Sequence, residues 1–148
     1  MEALRKLDPD GLQELKDRFG TFHDACIRTV QFSVSPSTAP SVRYVLDAIE
    51  LPWVLAPEGR KYILDWKLIT LEVRELKAFC FSQPERYESS TIFGLTIDLA
   101  ADEVQIDFDT DGDPHCPGQD WMKEHWRWAS GKELWWQAIS MPPDLVYW

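Results

Sequence analysis

The sequence predicts an α+β, mostly β fold: one N-terminal helix packed on an antiparallel sheet that curves into a half-open barrel or sandwich. Three observations predict it. A capped amphipathic stretch lies near the N-terminus, period-two alternation recurs through much of the remaining chain, and two alternating segments meet across a short polar turn. The length of 148 residues suits one globular domain spanning 1–148. A chain of that size buries roughly 68–70% of its unfolded surface and needs no disulfide staple. Its 45% hydrophobic and 27% charged residues are values of a globular chain, not a disordered one.

The helix comes first. Asp8-Pro9 sets a capping carboxylate before a proline whose missing N–H costs nothing at the first helical position. Leu12, Leu15 and Phe19 follow at near-helical spacing, and Gly20 ends the element. From Cys26 to Val34 the chain alternates, with Cys26, Val30, Phe32 and Val34 on one face and Thr29, Gln31 and Ser33 on the other. Ser35 to Ser41 reads as a loop by composition. A second alternation sets Val42, Tyr44, Leu46 and Ala48 against a face carrying Arg43 and Asp47. Pro52 to Gly59 reads as an irregular connection.

Trp66 to Phe81 fits two templates. As strands it turns tightly at Arg74-Glu75 and puts Ile69, Leu71 and Val73 inward. As a helix it aligns Ile69, Val73, Leu76 and Cys80. Its β-branched and aromatic ends favour strands. Phe93, Leu95, Ile97 and Leu99 then alternate with Gly94, Thr96 and Asp98. Across a turn at Ala100 to Glu103, Val104, Ile106 and Phe108 alternate with Gln105, Asp107 and Asp109. A four-residue loop sets Leu99 against Val104 and Ile97 against Ile106, leaving Thr96, Asp98, Gln105, Asp107 and Asp109 on an open, acidic face. In the Trp-rich C-terminal segment, Ser130-Gly131 reads as a turn between strands Trp126–Ala129 and Leu134–Ile139. A helix starting after Asp120 is the alternative for its first part.

Charge narrows the partners. With 15 basic and 25 acidic residues the net charge is −10, which removes the counterion-release term behind nucleic-acid affinity and opposes anionic membranes. It favours a basic protein partner. Cys26, Cys80 and Cys116 are an odd, widely spaced set, as expected of reduced thiols in cytoplasm. No apolar signal segment follows Met1, and no run of about 18 apolar residues occurs.

Candidate sites are few. Asp107-x-Asp109-x-Asp111-Gly112-Asp113 has the carboxylate spacing of a calcium loop, but the twelfth position, where a bidentate glutamate belongs, is Gly118. An Asp/Gly/Pro-rich turn explains the string, and no metal or other cofactor is expected. His115-Cys116 with His125 lacks the second close pair of a closed zinc site. His23-Asp24 beside Cys26 evokes a nucleophile and its base, but neighbouring strand residues point to opposite faces. No nucleophile elbow, P-loop or metalloprotease motif is present. The balance weighs against an enzyme, and no catalytic residue is assigned.

The remaining signal is charge segregation. Between Arg86 and Lys123 there is no Lys or Arg, while nine acids occur there. The tryptophans that follow belong to a type enriched at interface hot spots. Asp98, Asp107, Asp109, Asp111, Trp126 and Trp128 are therefore the candidate partner-binding residues. A small-molecule or metal-dependent protein with an aromatic pocket, and a structural or oligomerisation domain, are the alternatives.

Phe22-His23-Asp24-Ala25, the Leu71-x-Val73 run and Val104 to Asp111 give residues 22 to 112 a familiar outline. The chain resembles small, acidic, β-rich domains of uncharacterised bacterial families, some similar to immunity proteins of polymorphic toxin systems. The resemblance implies a cytoplasmic protein that blocks a toxin by covering its active site, without catalytic residues of its own. The Trp-rich tail departs from that pattern.

Overall fold

Asp8 starts the helix as expected. In the computed structural model, which describes residues 3–59, 62–81, 92, 94–108 and 127–142, its Oδ1 accepts from the Gly11 N–H at 2.7 Å. Helix α1 (Pro9–Phe19) then runs to Gly20, which takes φ 61° while its N–H donates to the Lys16 carbonyl at 2.9 Å. Leu15 and Phe19 are buried, and Leu12 packs beside them against the core. The helix is not long and apolar enough to cross a membrane.

Among the described residues, everything else regular is antiparallel sheet. The strands are β1 (Arg5–Lys6), β2 (Cys26–Ser35), β3 (Thr38–Leu55), β4 (Tyr62–Phe81), β5 (Thr96–Leu99), β6 (Val104–Asp107) and β7 (Arg127–Ser140). They form one seven-stranded sheet in the order β2-β3-β4-β7-β6-β5, with β1 pairing on β7. Helix α1 lies against β3. The sheet curls without closing. The Thr21 and Ala25 backbone, ahead of β2, bonds with Leu95 and Ile92, ahead of β5. Tyr44 of β3 meets Phe108 beyond β6 at a ring distance of 4.6 Å. This is the half-open, mostly β architecture that the alternation predicted.

Two expected reversals are corners instead. β4 passes straight through Arg74-Glu75, and β7 passes straight through Ser130-Gly131. The two sites face each other, since Arg74 pairs with Glu133 and Leu76 with Gly131. Glu75 adopts φ 51°, a left-handed conformation that breaks the alternation of a strand and bends it. Gly131 is required there: a Cβ would lie 2.6 Å from Val73 Cγ1 and 2.9 Å from the Arg74 carbonyl oxygen. Beyond the corner β7 passes from β1 to β6 as its second neighbour. The register shift of the β4–β7 pair falls just after the corner, between Leu76 and Ala78, and sheets that fold over a core turn their corners through bulges of this kind.

Smaller corrections have similar causes. Ser35–Ser41 holds a two-residue turn, Pro36-Ser37, between paired Ser35 and Thr38. A register shift between Ile27 and Thr29 swaps the faces of β2, so Ile27 rather than Cys26 enters the core. The bulged Arg28 reaches buried Asp47 through two 2.8 Å hydrogen bonds, which lets a carboxylate sit inside the sheet. His23 and Asp24 do orient one another, with Nδ1 and Oδ2 2.9 Å apart. They stand in a turn where Phe22 and Asp24 both have positive φ, so the strand rule does not apply to them. Both are exposed, a surface pair ahead of β2.

Candidate functional site

β3 and β4 outrun their neighbours. β2 pairs with β3 only as far as Asp47, and β7 pairs with β4 only from Lys67. Beyond those points the two strands continue alone among the described residues, through Ile49↔Trp66, Glu50↔Asp65, Val54↔Ile63 and Leu55↔Tyr62. The projection is roughly 20 Å long at the ordinary strand rise. The segment Pro52 to Gly59, read as irregular, is therefore one strand of an arm and its turn.

The arm is built from large apolar side chains. Ten such side chains are exposed among the described residues, and seven are here: Leu51, Trp53, Val54, Leu55, Tyr62, Ile63 and Leu64. Each is between 41% and 57% exposed. Strand alternation puts Leu55, Tyr62 and Leu64 on one face, joined by Trp53, whose ring meets that of Tyr62 edge-on at 5.9 Å. Val54 and Ile63 form the opposite face. The tip turns at Ala56–Gly59, where the Gly59 N–H bonds the Ala56 carbonyl at 2.8 Å and Gly59 takes φ 73°. At the base, Arg18 pairs with Glu50 at 3.1 Å and Lys67 with Asp65 at 3.0 Å. Charges are thus tied down at the root, and the described flank of the arm between root and tip is uncharged.

The β3 edge of the arm is blunted. Leu51, Pro52 and Trp53 together oppose Leu64, and the Leu51–Pro52 peptide is cis. A proline without an N–H inside a bulge cannot template a new strand. On the β4 side, the Met141 N–H already bonds the Trp66 carbonyl at 3.3 Å. Among the described residues, the outer edge of β4 from Tyr62 to Asp65 has no strand beside it, so the arm is blunted on its β3 edge and at its base.

The residues expected to form the site are placed differently. The β5–β6 ribbon has the predicted register, Leu99 opposite Val104 and Ile97 opposite Ile106. Its polar face is not open, however: Thr96, Gln105 and Asp107 are all buried, Asp107 to 1% exposure. β6 is an inner strand, so its residues have neighbours on both sides. One cross-sheet row runs Thr96, Asp107, Trp128, Cys80. The structure thus brings Asp107 and half-buried Trp128 together, but inside the protein. Asp98 is half-buried on the same face, one row away. Asp109, Asp111 and Trp126 lie outside the described residues, as do Asp113, His115, Cys116 and His125.

Bases also reach the acidic stretch from elsewhere in the fold. Lys77 of β4 lies 3.7 Å from Glu103. Lys6 and Lys132 share an open depression of about 500 Å³ with Glu75, Asp102 and Glu133. Glu133 is held below the usual carboxylate range by the Trp135 indole, which donates to it at 3.0 Å, and by nearby Lys6. The described tryptophans do not form one cluster. Trp136 is core, capped by Arg5; Trp135 stacks under Arg74; Trp53 stands on the arm. Within the core, the buried Tyr44 hydroxyl has no hydrogen-bond partner among the described residues, and burial raises its pKa.

The chain matches no family model, no curated protein and no solved structure.

The arm had one signal in the sequence. Leu51-Pro52-Trp53-Val54-Leu55 and Tyr62-Ile63-Leu64 are two apolar runs around a Pro-Glu-Gly turn. Pro52 demoted the first run to a connection, and nothing in either run says that the sheet stops short of it.

Proposed function

We propose that this protein is a protein-binding module that docks through the β3–β4 arm. The observation that carries the reading is the set of seven half-exposed apolar side chains on a two-stranded projection. An isolated two-stranded hairpin is marginal in water, and each such side chain leaves on the order of 1 kcal/mol of transfer free energy unrealised. A contiguous patch of this kind belongs under a partner. Protein fits better than lipid, because the net charge of −10 opposes an anionic bilayer.

An immunity-type inhibitor of a basic toxin is the sharpest form of this role. The net charge supports it, with half-buried Asp98 at hand and the arm as apolar anchor. Asp107, being buried, is not a contact residue. Association of that form weakens as salt rises.

The test is site-specific photo-cross-linking in cells that express the protein. A cross-linking residue at Trp53 or Ile63 gives one discrete adduct, and one at exposed Asp17 on α1 gives none. Equal labelling at all three positions, or no adduct from the arm, overturns the reading.

A further inference from the structure

We draw no further inference here: the strongest candidate, the exposed apolar face of the β3–β4 arm around Trp53 and Tyr62, belongs to the site already described, and nothing in the structure shows what covers it.

Discussion

The two best-defined hairpins of this protein invert each other. The β5–β6 ribbon has one apolar and one polar face, and both are buried: Val104, Ile106, Gln105 and Asp107 are all at 1% exposure or less. The β3–β4 arm is apolar on both faces, and both are exposed. Hydrophobicity alone would assign them the other way round. Position in the sheet decides instead. The ribbon supplies an inner strand beyond the corner at Glu75 and Gly131, whereas the arm extends past the last residues of β2 and β7. Alternation says which residues share a face, and topology says which face meets water.

The largest expected effect tests that inversion directly. Asp107→Lys places an uncompensated cation at a buried position, which costs about 3–5 kcal/mol, and urea unfolding should show the loss. The same substitution on an open acidic surface changes stability little. A near-neutral result would restore the open face and undo the contrast between the hairpins.

Next comes the corner. Gly131→Ala drives a methyl into Val73 and the Arg74 carbonyl, and overpacking of that kind costs about 1–3 kcal/mol. Glu75→Gly works the other way. It relieves a left-handed residue whose conformation costs roughly 1–2 kcal/mol for an L side chain, so stability rises by up to about 1 kcal/mol after the added chain entropy. Thermal melts read both. If both substitutions destabilise equally, Glu75 contributes contacts that outweigh its backbone strain, and the bend is not where the chain is conformationally stressed.

These residues also show how far the sequence could be read. The pairing of Leu99 with Val104 and Ile97 with Ile106 was legible, because a fixed loop length and strict alternation leave one register. Asp8, Pro9 and Gly20 were legible because capping is local chemistry. Arg74-Glu75 and Ser130-Gly131 were misread as reversals, since a residue at positive φ, or a glycine, marks a bend as well as a turn. Two such signals far apart in sequence paired with each other, and no local rule sees that. The burial of Asp107 was illegible for a similar reason. Asp107 pairs with Trp128 across β6 and β7, and its burial depends on strands that approach from elsewhere.

A smaller effect concerns the contact that ties the ribbon to the main sheet. Tyr44 packs on Phe108 with its hydroxyl buried and without a hydrogen-bond partner among the described residues. Tyr44→Phe keeps the ring contact and removes a desolvated polar atom, so stability should hold or rise by about 1 kcal/mol. A loss of that size instead would mean the hydroxyl is satisfied by a group beyond the described residues, and that the ribbon is anchored by a polar contact as well as by packing.

The smallest expected change in stability belongs to the arm, and it makes the contrast quantitative. Ile63 is 56% exposed, and among the described residues its strand pairs only with β3 at that point. Ile63→Lys should therefore move unfolding free energy by no more than about 0.5 kcal/mol, as surface substitutions do, when measured on dilute protein. With a bound partner present the same variant should melt earlier than the parent, because binding stabilises the folded chain by mass action. The pair of melts separates the arm's two possible debts to its surroundings: one owed to its own fold, which is concentration-independent, and one owed to a partner, which is not. A large loss in the dilute sample would mean that the arm is packed against its own chain, and the projection would then be part of the core that its exposed side chains deny.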